Sequence, residues 1–390
     1  MSAIQGLRAQ PWAKYLLPGT VVLAVALMPL FREPLDGFTD DCILALAYVV
    51  MALGLNLVVG FAGLLDLGYV AFFAFGAMVV GWWASDHFAT VNGEKGIHFG
   101  VSDFAGSLPG IHVNFLVLVI GAIIVCAIAG AIIGLPTLRL RGDYIAIVTL
   151  AFGEIIGRVA QNGDELTFFG DYKFSNGRQS IAPVDAIDIP LLATFDSAIN
   201  LRPYYWTIFA IALVVLFVNF RLRDSKLGRA WIALREDEVA AASMGVPLVK
   251  TKLLAYATGG AFGGISGAFL GAYFSSVNAI SFQFGFSIFI LAMVILGGLG
   301  SIWGVVLGAV ALAFVNHRLI PDVLDQGFIG TELRDAGLDF SFTEISFGIF
   351  GFILVVMMVL RPEGILPERR RQMELKEGIG ETESVFEARS

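Results

Sequence analysis

The stretch Gly228–Tyr256, which reads GRAWIALREDEVAAASMGVPLVKTKLLAY, is highly charged although the chain around it is strongly apolar. Across the 390 residues, 57% of the side chains are hydrophobic, 15% are charged and the mean hydropathy is +0.79. Soluble domains usually carry about 25% charged residues, and a charge near the centre of a bilayer costs roughly 2.5 kcal/mol or more. The composition therefore predicts a membrane protein, with this charged stretch outside the lipid.

The apolar residues group into segments of nearly the length, about 20 residues, that a helix needs to cross a bilayer. Ten such segments lie at about 15–31, 42–60, 67–84, 113–135, 144–160, 203–220, 251–274, 285–300, 302–320 and 345–360. The short segments 67–84 and 285–300 are expected to be tilted, broken or re-entrant. The sequence thus predicts an all-α fold, a polytopic membrane helix bundle of about 10 transmembrane segments over residues 1–366, followed by a polar tail over 367–390.

The distribution of positive charge orients this bundle. The short basic clusters LRLRG (Leu138–Gly142) and RLRDSKLGR (Arg221–Arg229) fall on the same side of the predicted membrane as the two chain ends, as do most of the 25 Lys and Arg residues. Because short basic loops stay in the cytoplasm, we predict that both termini and the tail are cytoplasmic. The long loop at about 161–202 is then periplasmic.

The charged stretch contains the signals of a short helix inside the predicted cytoplasmic loop at about 221–250. The run Glu236–Glu238 offers an N-cap and an acidic first turn, Gly245 suits the residue after the helix, and Pro247 stops it. The predicted helix has about two turns and cannot cross a membrane. It either presses into a groove on a soluble partner or packs against the bundle.

Several motifs resemble one known family. The run E-x-A-A-x-x-M-G at Glu238–Gly245 resembles the coupling-loop signature of ABC importer permeases, in particular the LivM branch for branched-chain amino acids. The stretches Gly54–Ala77, Leu138–Arg158 and Phe289–Ala309 and the RPEGIL at Arg361 are similar to further segments of that family, so the resemblance covers most of residues 42–367.

The chain also departs from the family pattern. The longer signature of other importers continues to I-x-L-P, whereas this chain reads VPLVKTKLLAY, and the outer stretch Thr167–Ile181 resembles its family counterpart only loosely.

The resemblance implies a complex in the bacterial inner membrane. Its other members would be a second, LivH-like permease, two cytoplasmic ATPases and a periplasmic amino-acid-binding protein. The residues that it assigns to coupling with the ATPase are Arg235, Glu238, Ala240, Ala241, Met244 and Gly245. The chain has no G-x-x-x-x-G-K-[ST] phosphate loop. We therefore expect no cofactor in this chain, with ATP and Mg²⁺ bound by the partner ATPases.

Four polar residues in or beside the apolar segments are candidates for the translocation pathway. Asp66 follows Gly60 and Gly63, where a broken helix could line a cavity near its inner mouth, although we favour a tight cytoplasmic turn with a solvated carboxylate. Asn56 is expected to bond across helices.

Glu154 and Arg158 have the i,i+4 spacing of a pair on one helix face. A carboxylate inside the membrane is a functional candidate. Glu154 would either contact the ammonium group of an amino acid or hold the bundle together.

Function is therefore predicted as transport without covalent chemistry, with branched-chain or related amino acids as substrate. Two alternatives stay open: the same kind of importer with urea or short amides as substrate, and a secondary transporter driven by an ion gradient. No catalytic motif and no metal-ligand spacing stand out, and no basic stretch with interleaved aromatic residues suggests a nucleic-acid partner.

Overall fold

The structure is a computed structural model that describes residues 22–90, 95–101, 108–138, 140, 142–168, 172–189, 193–194, 200–325, 345–361 and 363–366. Three predictions therefore fall wholly or partly outside the described residues: the start of the first apolar segment at 15–21, the outer loop at about 161–202 in its parts 169–171, 190–192 and 195–199, and the tail at 367–390.

The described residues form twelve helices. In chain order these are α1 (Val22–Phe31), α2 (Gly37–Asn56), α3 (Val70–Trp83), α4 (Phe115–Thr137), α5 (Asp143–Gln161), α6 (Arg202–Asp224), α7 (Lys226–Glu236), α8 (Glu238–Ser243), α9 (Leu248–Tyr273), α10 (Phe284–Gly297), α11 (Ile302–Phe314) and α12 (Ser346–Leu360). Wider π-helical turns extend α2 to Phe61 and α11 to Asp325.

Six of these helices are long and apolar enough to cross a membrane: α2, α4, α5, α6, α9 and α11. The apolar helices α1, α3, α10 and α12 are shorter. Together the ten coincide with the ten predicted apolar segments, so the prediction of a multi-pass helical membrane protein is confirmed. Helices α3 and α10 have 14 residues each, about 21 Å at 1.5 Å per residue, as expected for the two short segments.

The centre of the bundle is α9, which packs against α2, α3 and α4. Small residues make this packing close: a Cβ atom added to Gly76 of α3 would lie 2.1 Å from the carbonyl oxygen of Gly264 on α9. The Tyr69 hydroxyl donates a 2.7 Å hydrogen bond to the Gly259 carbonyl across the same interface. Close backbone approach of this kind is what holds helices together in lipid.

The fold is mostly helical, as predicted, but the connections after α3 and after α5 contain short strands. Strands β1 (Ala84–Ser85), β2 (Ile97–Phe99) and β3 (Ile111–Val113) form a sheet in the order β1-β3-β2. Two further antiparallel pairs join β4 (Thr167–Phe168) to β5 (Tyr172–Lys173) and β6 (Asp188–Ile189) to β7 (Ala193–Thr194). Backbone groups outside helices still need hydrogen-bond partners, and the short strands within each connection supply them to one another.

The loop after α5 is attached to the bundle by backbone pairing. Ile181 and Val277 exchange two hydrogen bonds of 2.9 and 3.0 Å, and the Val184 amide donates to the Ser275 carbonyl. The Asp185 carboxylate also lies 2.7 Å from Nδ1 of the buried His112. The pKa of Asp185 is raised overall, because the effect of burial exceeds the opposite effect of the hydrogen bond from His112. The outer loop is thus fixed to the C-terminal end of α9.

Candidate functional site

The short helix in the charged stretch exists as predicted. Helix α8 spans Glu238–Ser243, and the Asp237 carboxylate caps it by accepting hydrogen bonds of 2.8 and 3.0 Å from the amides of Val239 and Ala240. Gly245 follows the C-cap with φ of +86°, a left-handed conformation that favours glycine. Sequence signals at both ends therefore determine this element.

One side of this segment is anchored to the bundle. Glu238 forms a 2.7 Å ion pair with Lys252 of α9, whose side chain is only 1% exposed. The Arg235 guanidinium donates a 2.7 Å hydrogen bond to the carbonyl of Gly60, and Ala241 is buried. Three of the six predicted coupling residues thus face the protein, and Lys252 is a partner that the sequence analysis missed.

The opposite side of α8 is open. Met244 is 86% exposed and Val239 is 61% exposed, and Ala240, Ala242 and Gly245 are also exposed. Two large apolar side chains with small neighbours form a shallow surface that a partner could cover. We call the exposed residues Val239, Ala240, Ala242, Met244 and Gly245 the α8 surface.

The anchor also touches the break between α2 and α3. In addition to the Arg235 bond to Gly60, a Cβ atom added to Gly63 would lie 2.5 Å from the Arg235 side chain. Between Ala62 and Gly68 the chain has no regular helix, which fits both a broken helix and a turn between the two predicted segments. The α8 segment therefore contacts the discontinuity directly.

Asp66 lies inside this break, and the favoured prediction of a solvated carboxylate was wrong. The residue is 2% exposed, because residues 66–68 pack against α5. One carboxylate oxygen accepts a 2.9 Å hydrogen bond from the Gly68 amide, while Oδ2 has no partner among the described residues. Burial raises the pKa of Asp66 to about 6.

Replacing Asp66 with asparagine is expected to stabilise the protein at pH 7.5 but not at pH 4. Because the pKa is higher in the folded state than the usual 3.8, folding takes up a proton, and stability falls as pH rises through about 6. Removing the charge recovers about 1 to 3 kcal/mol above that pH. Thermal unfolding of the detergent-solubilised protein across this pH range measures the difference, and equal shifts at both pH values would contradict it.

Asn56 bonds across helices as predicted. It is fully buried, and its side-chain oxygen accepts a 2.9 Å hydrogen bond from the amide of Gly300, in the turn between α10 and α11. The RPEGIL segment returns to this same turn, where the amides of Ile365 and Leu366 donate to the carbonyls of Leu296 and Gly297. Asn56 therefore ties α2 to a compact layer of turns at one end of the bundle.

Glu154 and Arg158 lie on the outside of the protomer. Their charged groups are 4.0 Å apart, and their side chains are 44% and 70% exposed. The pair therefore does not hold the helices of this protomer together. If this face met lipid, each charge would cost roughly 2.5 kcal/mol or more, so water or a protein partner must cover it.

These features define the class of the protein: a multi-pass membrane protein with a break between α2 and α3 and a short capped helix beside the break. The sequence profile of "branched-chain amino acid transport system / permease component" matches residues 41–360. The chain belongs to this family of permease components.

Individual relatives agree with that assignment. The chain is 35% identical to the high-affinity branched-chain amino acid transport system permease protein LivM of Escherichia coli over 388 residues, 95% of this chain and 79% of the relative. It is 26% identical to a probable LivM of the archaeon Methanocaldococcus jannaschii, over 83% of this chain and 91% of the relative. The permease protein LivH of E. coli is 29% identical over 44% of this chain and 48% of its own length. No solved structure matches the chain.

Proposed function

We propose that this chain is a membrane-spanning subunit of an ATP-driven importer that moves branched-chain amino acids into the cytoplasm. The observation that carries the proposal is the α8 surface, a capped and anchored helix with exposed Met244 and Val239, in a member of this permease family. Such a surface suits docking to a soluble partner, which we take to be two cytoplasmic ATP-binding subunits that hold ATP and Mg²⁺.

The proposed topology has ten membrane spans with both termini in the cytoplasm of a bacterial inner membrane. This orientation puts the basic segment around α7 and α8 inside, in agreement with the positive-inside rule. The outer loop that pairs with Val277 then lies on the periplasmic side, where a binding protein would deliver substrate.

The Glu154–Arg158 face supports a second permease as a partner. Charged groups on a helix that is long enough to span the membrane are expected to face a water-filled cavity or another protein. The partial similarity to LivH indicates that related permease chains exist, so we propose a heterodimer of this chain with a LivH-like permease. The pathway would run between the two protomers, beside α5.

Coupling would pass from α8 to the helix break. Movement of the ATPases displaces the α8 surface, Arg235 transmits the movement to Gly60, and the broken segment before α3 changes its position. Because helical hydrogen bonding is already interrupted between Ala62 and Gly68, this segment can change its conformation more readily than an intact helix. The chain itself performs no covalent chemistry.

Reconstitution tests this function against its alternatives. In proteoliposomes with the partner subunits and binding protein, labelled leucine should accumulate when ATP is supplied on the cytoplasmic side. Accumulation should persist with an uncoupler and should not be competed by urea or isobutyramide. Uptake that collapses with the uncoupler while ATP is maintained would favour the ion-gradient alternative, and competition by urea would favour the amide alternative. The names of the relatives favour branched-chain amino acids.

A further inference from the structure

We propose that this permease itself carries a two-part binding site for a branched-chain amino acid, with the charged head group at Glu154 and Arg158 and the aliphatic side chain in an adjacent aromatic pocket. This inference rests on the proposed import function. It adds a substrate site within the membrane subunit, distinct from recognition by the binding protein.

The first part is a polar cavity of about 270 Å³ beside α5. It is lined by Glu154, Arg158 and Gln161 of α5 and by residues 282–285 at the start of α10. Gly157 allows this approach, because a Cβ atom there would lie 2.5 Å from the Phe282 carbonyl oxygen. One carboxylate and one guanidinium on the same wall match the ammonium and carboxylate groups of an α-amino acid.

The pair is free to reorganise around a ligand. Its 4.0 Å separation is longer than the 2.7–2.9 Å of a charge-assisted hydrogen bond, so binding would not have to break a strong existing contact. The first turn of α10 also borders the cavity, and Gln283 supplies no side-chain cap to it. The positive end of the α10 dipole would add to the attraction for a carboxylate.

The second part is a larger cavity of about 540 Å³ between α3, α9 and α10. Its walls are mainly apolar and include the aromatic rings of Tyr48, Phe73, Phe274 and Phe286. Its volume falls within the range of small-molecule sites, which are mostly apolar with a few placed polar groups. A branched aliphatic side chain has the size and polarity that this pocket accepts.

Phe282 and Gln283 join the two parts, since both residues line both cavities. They form a non-helical link before α10, and in membrane proteins irregular backbone commonly lines a cavity. The neighbouring residue Val277, which lines the apolar cavity, is also the one that pairs with Ile181 of the outer loop. The site is thus in contact with the loop on which substrate would arrive.

Photolabelling of the assembled complex tests the site. The probe is the diazirine analogue of leucine, supplied with the binding protein to the complex in nanodiscs, and the labelled residues are mapped by mass spectrometry. We expect labelling within residues 270–286 that excess leucine prevents. Glu154→Gln and Arg158→Gln should each raise the leucine concentration for half-maximal uptake roughly 10- to 100-fold, and Arg158→Lys should restore part of the loss.

The matched control is Arg32→Gln, since Arg32 is 52% exposed and also forms an i,i+4 ion pair, with Asp36, but lines neither cavity. It should leave labelling and uptake unchanged. Two results would overturn the site while leaving the import function in place. In the first, the wild-type complex transports leucine but carries no label in 270–286. In the second, Glu154→Gln and Arg158→Gln both show normal uptake. Absence of leucine transport by the wild-type complex would instead overturn the import function.

Discussion

Replacing Met244 with aspartate is expected to abolish leucine uptake while the permease still reaches the membrane. Met244 is the most exposed large apolar side chain of the α8 surface, and a charge there would be buried against the partner without a counter-ion. Loss of a central interface contact of this kind costs about 2 kcal/mol or more. Co-purification of the ATP-binding subunit should therefore fall at least about tenfold.

The control for this variant is Met244→Leu, which keeps a flexible apolar side chain at the same position. It should retain uptake and co-purification close to the wild-type level. Because the Met244 side chain is 86% exposed, thermal stability of the isolated permease should be the same for both variants. Wild-type uptake by Met244→Asp would mean that the α8 surface does not carry the ATPase contact.

The second large effect is expected from Glu238→Ala, which leaves the ammonium group of Lys252 buried without its partner. Lys252 is 1% exposed and lies 2.7 Å from Glu238. Breaking a buried pair by removing one partner costs about 3 to 5 kcal/mol. The anchor of α8 should therefore loosen, and limited proteolysis between Asp237 and Pro247 should become faster while uptake falls.

The double variant Glu238→Ala with Lys252→Met separates the ion pair from other roles of Glu238. An apolar side chain at position 252 removes the unpaired charge, so stability should return to near the wild-type value. The comparison pair is Arg223–Asp224, also close at 3.0 Å but with Asp224 68% exposed. Asp224→Ala should lower the free energy of unfolding by no more than about 1 kcal/mol. If Glu238→Ala and Asp224→Ala lowered it equally, burial of the Glu238–Lys252 pair would not have the assigned role.

Local sequence signals predicted much of this architecture. Long apolar runs located the ten apolar helices, because burial in lipid demands them. The run Glu236–Glu238 and Gly245 marked the two ends of α8, because capping and positive φ depend on residues within a few positions of each other. Asn56 was expected to bond across helices, since a lone amide in an apolar run must find a partner.

Features that depend on distant parts of the chain were not predictable in this way. The burial of Asp66 depends on α5, whose Thr149 hydroxyl accepts from the Leu67 amide 82 positions earlier in the chain. The pairing of Ile181 with Val277 and the role of Phe282 between two cavities likewise arise only when the helices are assembled. The family resemblance supplied the predicted coupling residues as a group, but only the structure separates the anchoring Arg235 and Glu238 from the exposed Met244.

The central claim is that α8 lies in the cytoplasm and receives the movement of a separate ATPase. It is tested most directly by a single cysteine at position 244, made as Met244→Cys with Cys42→Ala and Cys126→Ala in the complete complex. We expect maleimide reagents to label this cysteine only from the cytoplasmic side. We also expect it to crosslink to a cysteine in the ATP-binding subunit, in a yield that changes with ATP. Labelling from the periplasmic side, or leucine transport by the permeases without any ATPase, would contradict it.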